Sequence, residues 1–517
     1  MQRKWWTLLA VSVATFMLLL DITVVNTALP SIHDDLGASF TDLQWVIDAY
    51  TLSLAALVLT AGVLADRLGR RRVFAAGLAI FTVASLAAGL SPDPTFLNIT
   101  RAIQGIGGAV MFAVSLALIA QEFEPGRERG AAMGVYGATI GVAVATGPLV
   151  GGALTDSLGW QSIFFLNVPI GAAAIAITYL RVRESRDPNA SSIDWLGLVT
   201  FSTSLFLLVL GLLRGNDEGW GSTLIVALLA GAGVLMAAFL AIESRVKEPM
   251  LPLGLFRKPA FTGVQLAAAG ISASMFALFL YLTFYLQGFL GDSPLEAGLR
   301  YLPLTVTTFF VSAATGAVLI TKFQARYLLS AGLVLVGSAL LLMGGISTGD
   351  EWTTLLPGFL LAGLGIGMIN PVIADVAVSV VPREQSGMAS GINDTFRQVG
   401  IAIGIAAWGA IFLGRGADKV SQLLEGTPGA TGSRPRELVE AVSSGNLDSA
   451  LANVPAGSRA GVANAAREGF LAGMNDILML GGIFALAGSV AALWLVRERD
   501  IERSEEFGEA LAEPAAA

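Results

Sequence analysis

The sequence predicts an all-α polytopic membrane protein, and three observations carry that prediction. Of 517 residues, 54% are hydrophobic and only 14% are charged, against roughly 25% charged in soluble domains. Mean hydropathy is +0.71. Glycine is abundant, with 60 residues, and it is favoured in membrane helices because it lets backbones approach closely. Absences exclude other classes. Without Cys there is no disulfide framework and no thiolate-bound metal. His33 is the single histidine, so a His-rich metal site is equally excluded. No Gly-x-x-x-x-Gly-Lys-Ser/Thr string occurs, which rules out a P-loop ATP-driven pump. The net charge of −8 says little, because membrane proteins sort their charges by side.

A helix crosses about 30 Å of hydrocarbon with about 20 apolar residues. Fourteen such runs lie near 6–27, 45–65, 73–90, 97–119, 130–152, 161–180, 195–213, 221–243, 261–290, 299–321, 326–346, 353–375, 388–413 and 474–496. The first follows Arg3-Lys4-Trp5-Trp6 but lacks a small-residue cleavage site, so it reads as an uncleaved span. With the N-terminus inside, 21 of the 31 basic residues fall on the inner face. The positive-inside rule therefore places both termini in the cytoplasm. Eight of the nine Trp residues sit at span ends, Trp408 excepted, as amphipathic indoles prefer the interface. Segment 414–473 reads as a long polar outer loop, a spacer or loosely packed cap, with one weakly amphipathic stretch around 434–444. The tail 497–517 is acidic and Ala-rich and reads as disordered.

An internal repeat divides the chain. Pro125, Gly130 and Gly134 recur as Pro382, Gly387 and Gly391, 257 residues on. Gly105 and Gly107 recur as Gly363 and Gly365, and Arg67 and Arg71 as Lys322 and Arg326, at nearly the same offset. The expected organisation is a six-helix bundle over 1–185, two inserted helices over 186–258, a second six-helix bundle over 259–496, and the tail. Polar residues are asymmetric: Arg101 and Gln104 align with Phe359 and Ala362. That asymmetry points to coupling chemistry in the first half.

Several motifs together resemble one family. Gly62 to Arg72 reads GVLADRLGRRR, Leu20 to Pro30 reads LDITVVNTALP, Arg101, Gln104 and Gly105 lie in the fourth span, GPLVGG occupies Gly147 to Gly152, and FFLNVPIG occupies Phe164 to Gly171. This set resembles the major facilitator superfamily, specifically its fourteen-span drug:proton antiporters of the EmrB/QacA kind. Gln161 stands where an Arg often follows Trp160 in that group. The resemblance implies the major facilitator fold and no enzymatic activity. It also implies efflux of drug-like or antibiotic molecules, including lipophilic cations, with the proton as coupling ion and no other cofactor. The bacterial cytoplasmic membrane is the expected location, with a monomer and no nucleic-acid partner. A periplasmic adaptor is a partner of some relatives, but no adaptor signature is visible. A flippase or exporter of an endogenous lipid or other amphiphile on the same fold is the alternative, since fold does not fix substrate.

Candidate site residues follow from charge placement, because an ionised group in hydrocarbon is costly and faces a cavity or partner. Asp21 lies ~22 Å up the first span, and Asp48 and Arg101 lie ~5 Å below the outer ends of theirs. All three should share one depth, as an acid pair beside one Arg. The alternatives are a static Asp21–Arg101 pair and an interfacial Asp48. Asp394 and Arg397, three residues apart, are further coupling or substrate candidates, or an intrahelical pair. Gly62, Asp66, Arg67, Gly69, Arg70 and Arg71 form a candidate conformational latch or a topology signal. Gly147, Pro148, Gly151 and Gly152 thin a helix for packing or a hinge. Phe276, Phe279, Tyr281, Phe284, Tyr285 and Gln287 are candidate cavity residues. Asp375 reads as interfacial and His33 as solvent-exposed.

Overall fold

The computed structural model describes residues 2–38, 40–124, 126–186, 194–246, 249–425, 434–452, 454–497 and 501. The first six spans are α1 (Arg3–Leu36), α2 (Phe40–Leu68), α3 (Arg70–Gly89), α4 (Pro94–Glu122), α5 (Arg127–Leu158) and the broken pair α6 (Gln161–Phe165) and α7 (Asn167–Arg181). Then come α8 (Trp195–Glu218) and α9 (Thr223–Glu243). The ninth span is α10 (Pro259–Ile271), a π-turn at Ser272–Phe276, α11 (Ala277–Thr283) and a second π-turn at Phe284–Phe289. The tenth is α12 (Pro294–Arg300), α13 (Leu302–Ala314), a π-turn at Thr315–Leu319 and α14 (Ile320–Lys322). It is followed by α15 (Ala325–Met343), α16 (Leu356–Ser379), α17 (Ser386–Leu423), α18 (Arg434–Ser443), α19 (Leu447–Leu451) and α20 (Arg459–Leu495). No strand occurs among the described residues.

Among the described residues, thirteen helical spans are long and apolar enough to cross a membrane. α5 stands beside them, 32 residues long and free of charge from Gly130 to Thr155. α8 and α9 pack on each other through Phe201 and Phe239, with ring centroids 4.9 Å apart. Ser204 donates to the Ala232 carbonyl at 2.8 Å. Their other faces expose Val199, Phe206, Val226 and Val234, the pattern of helices that look outward into lipid.

Segment 414–473 departs from the expected loose loop. α17 runs on to Leu423 and α20 begins at Arg459, so much of it extends these two spans. α18 falls on the amphipathic stretch and buries Leu438, Val439 and Val442. Its C-terminal carbonyls, from Val442 and Ser443, lie against Gly288 of the ninth span. A mean-polarity reading missed this because the apolar residues are few but share one face. Of the acidic tail, only Arg497 and Ile501 lie among the described residues.

The repeat explains how the two related sets of helices meet. A Cβ added to Gly62 of α2 would strike the Gly387 carbonyl of α17, and one added to Gly391 would lie 2.9 Å from the Leu59 Cα. The second seam mirrors the first: a Cβ on Gly316 would lie 2.7 Å from the Gly134 Cα of α5, and one on Gly130 would strike the Gly316 carbonyl. Gly130 and Gly134 are the repeat partners of Gly387 and Gly391, so one glycine pattern used twice makes both contacts. All these residues lie toward the end of the bundle that carries the basic loops, hereafter the basic end.

Overpacking a tight helix contact costs about 1–3 kcal/mol. Gly316→Val should therefore lower the thermal unfolding midpoint in detergent by several degrees. Gly233→Val, on α9 where an added Cβ meets nothing within 4 Å, should leave it unchanged. Equal effects would contradict the seam.

Candidate functional site

Asp21 is the centre of a buried polar network in the first half. Its Oδ2 accepts from Arg101 Nη1 at 2.5 Å. Its Oδ1 accepts from Gln104 Nε2 and from Asn167 Nδ2, each at 2.9 Å. Arg101 also donates from Nη1 to Gln104 Oε1 at 2.7 Å and from Nε to the Val46 carbonyl at 3.0 Å. Its guanidinium lies 4.3 Å from the centroid of the Tyr50 ring. Ser85 accepts from Asn167 at 2.9 Å and donates to the Phe164 carbonyl at 3.0 Å. The network thus joins α1, α2, α3, α4, α6 and α7. Asp21 and Arg101 are both 1% exposed, and charge-assisted bonds in so dry a setting are strong.

Asp48 does not join that network, contrary to the sequence expectation. It faces Arg214 of α8, 3.4 Å away. Arg214 donates to Gln44 at 3.0 Å and lies 5.0 Å from the Trp45 ring centroid. Depth along a helix is legible in sequence, but rotation about it is not, and Asp48 is turned toward the inserted pair. Each acid therefore has its own Arg.

Asp394 and Arg397 are adjacent on α17 yet form no salt bridge within 4.0 Å. Asp394 is buried, and its Oδ2 has no hydrogen-bond partner. Arg397 is half-buried, donates to Asn370 Oδ1 at a long 3.4 Å, and lies 5.6 Å from the Phe276 ring centroid.

At the basic end, Asp66 holds the start of α17. Its carboxylate accepts from the Gly387 amide at 3.0 Å and the Met388 amide at 2.7 Å. Arg70 donates to Asp66 at 2.8 Å, to Gln121 at 3.0 Å and to the Glu384 carbonyl at 2.8 Å. The Arg129–Asp375 pair, at 3.5 Å, adds a second bridge between α5 and α16, so Asp375 is more than interfacial. Gly69 takes a φ of 110°, in the left-handed region that favours Gly, and lets Arg70 turn back onto Asp66. Two expected latch residues do not reach α17: Arg71 pairs with Glu184 of its own half at 3.7 Å, and Arg67 lies within electrostatic reach of Glu243 on α9.

Residues 11–405 match the profile described as the Major Facilitator Superfamily. The chain belongs to that superfamily. The tetracenomycin C resistance and export protein of Streptomyces glaucescens is 33% identical over 508 residues, covering 98% of this chain and 94% of that protein. The puromycin resistance protein of Streptomyces alboniger is 38% identical, covering 80% and 82%. The multidrug resistance protein Stp of Mycobacterium tuberculosis is 36% identical, covering 78% and 75%. Among solved structures, the human organic anion transporter MFSD10 aligns with a TM-score of 0.64 at 14% identity, over 95% of this chain and all of that one. The proton:xylose symporter XylE aligns at 0.61 and 15% identity, over 99% of each chain. These two share the fold. Like its superfamily, the chain is a multi-pass membrane transporter and not an enzyme.

The remaining superfamily motifs divide. In α5, a Cβ on Gly147 or Gly151 would collide with Thr23 or Thr27 of α1, whereas Gly152 has open space. The motif is thus a close-packing stripe of two glycines, and the Pro148 side chain lies outside the described residues. Among the aromatic candidates, Phe276 and Phe279 pack edge to face at 5.9 Å beside Arg397. Tyr281 and Tyr285 instead turn into the core of the second half. Tyr281 donates to the Ile405 carbonyl at 2.9 Å beside Phe284, and Tyr285 stacks on Phe289 at 5.4 Å. Gln287 is half-buried at the second π-turn. His33 is exposed and meets the Ala38 carbonyl at 2.6 Å, closing the end of α1. Asn167 and Ser85 were not picked out as site residues, although an Asn inside a hydrophobic span is a signal for an interhelical bond.

The clamp on α17 can be opened at one atom pair. The chain has no Cys, so Met388→Cys gives a single reporter at a buried position. Combining it with Asp66→Ala should raise its maleimide labelling rate in detergent at least 3-fold. An unchanged rate would show that Asp66 does not hold this end shut.

Proposed function

We propose that the protein exports antibiotic-class or drug-like small molecules across the bacterial cytoplasmic membrane in exchange for protons. It works as a monomer with the basic end and both termini in the cytoplasm. The names of its relatives support the substrate class, since they confer resistance to or export tetracenomycin C, puromycin and other drugs. The positive-inside rule supports the orientation. On that orientation the Asp66 and Arg129 bridges close the cytoplasmic side.

The Asp21 network is the observation that carries the coupling proposal. A proton on Asp21 cancels the charge that holds Arg101, and the guanidinium then loses its only carboxylate partner among the described residues. Because the network touches five of the six spans of the first half, α5 excepted, that loss is felt across most of that half. Rocking of one bundle against the other follows from such a change at a shared joint. Release of the proton inward restores the pair and resets the cycle.

The test uses everted vesicles from a pump-deficient host, with puromycin and ethidium as probes. The wild type should give substrate-evoked proton movement, and Asp21→Asn should lose it by 10-fold or more while still inserting in the membrane. Coupled transport retained in Asp21→Asn would overturn the assignment.

A further inference from the structure

The second half holds a set of polar groups that the fold does not use. Asp394 and Asn370 are 2% and 3% exposed, and Asp394 Oδ2 and Asn370 Nδ2 each lack a hydrogen-bond partner. Arg397 lies within electrostatic reach of Asp394, with no carboxylate within 4.0 Å among the described residues and one long bond to Asn370. Tyr136 of α5 is within electrostatic reach of both Asp394 and Arg397. A Cβ on its neighbour Gly137 would lie 3.6 Å from the Asn370 Cβ. Phe276 lies under the guanidinium at 5.6 Å and continues through Phe279 to Tyr301, with 5.8 Å between those last two rings.

A buried donor or acceptor left unpaired costs about 1–3 kcal/mol. Such a group calls for a partner, and a bound ligand can supply one. The cluster offers one acceptor, one amide donor, one guanidinium and an aromatic wall, contributed by α5, α16, α17 and the first π-turn. In the first half, by contrast, both acids are already matched, Asp21 by Arg101 and Asp48 by Arg214. Among the described residues, no carboxylate buried within the spans of that half lacks an arginine partner.

We infer that this cluster is a substrate subsite for planar aromatic compounds carrying adjacent hydroxyl and carbonyl groups, neutral or singly acidic, in preference to permanent cations. The hydroxyl donates to Asp394, the carbonyl accepts from Arg397 and Asn370, and the ring face lies along Phe276 and Phe279. A permanent cation placed against this ring face is repelled by the Arg397 guanidinium. This inference rests on the exporter reading and names its substrate class.

The experiment measures uptake of 1,8-dihydroxyanthraquinone and of ethidium into everted vesicles energised by a pH gradient. The wild type should favour the anthraquinone at least 10-fold in apparent affinity. Arg397→Gln should lose that preference, Arg397→Lys should keep part of it, and Asn370→Ala should weaken anthraquinone uptake several-fold with ethidium unaffected. Preference for ethidium, or full anthraquinone uptake by Arg397→Gln, overturns the subsite. Driven uptake of puromycin without the anthraquinone also overturns it and leaves the exporter reading standing, whereas no driven transport of any probe overturns that reading itself. Monodisperse elution of each variant in detergent separates loss of function from loss of fold.

Discussion

A carboxylate buried in a hydrocarbon span must be matched, and Asp21 is matched by Arg101. Removing one partner of such a pair leaves an uncompensated charge at a cost of about 3–5 kcal/mol. The surrounding structure reads as the consequence of that constraint. Gln104 and Asn167 fill the second carboxylate oxygen, Tyr50 covers the guanidinium face, and the Val46 carbonyl takes its Nε proton. Helices that share no sequence neighbourhood are thereby fixed around one ion pair.

The two halves divide the work unevenly. The first sets the carboxylates buried in its spans against arginines, Asp21 against Arg101 and Asp66 against Arg70. The second leaves Asp394 and Asn370 partly unpaired and breaks the helices near them with π-turns at Ser272–Phe276 and Thr315–Leu319. π-turns widen a helix and frequently mark functional sites. Matched charges on one side and unmatched groups on the other give an interface in which a ligand, and not the resting protein, completes the bonding. The seams of paired glycines at the basic end let the blocks meet without side chains in the way.

Much of this was legible in the sequence. The helical membrane architecture followed from hydrophobic runs and the paired glycine seams from glycine spacing; the meeting of Asp21 and Arg101 followed from depth along helices, and Gln104 stood out by the asymmetry of the repeat. The contacts of Asp66 and Arg70 with the start of α17 fall within the Gly62 to Arg72 motif. What sequence could not supply is rotation about a helix axis. Asp48 faces α8, Tyr281 and Tyr285 sit on the expected span but face the core of the second half, and Arg71 sits in the expected motif but pairs with Glu184 of its own half. The helical cap at 434–443 was hinted at by periodicity and masked by composition.

A double-mutant cycle on Asp21→Asn and Arg101→Gln, read by thermal unfolding in detergent, tests the central constraint most directly. Each single change should be strongly destabilising, and the double variant should be more stable than their sum predicts by about 1–3 kcal/mol. Additive effects would show that the pair is not the joint on which the first half depends.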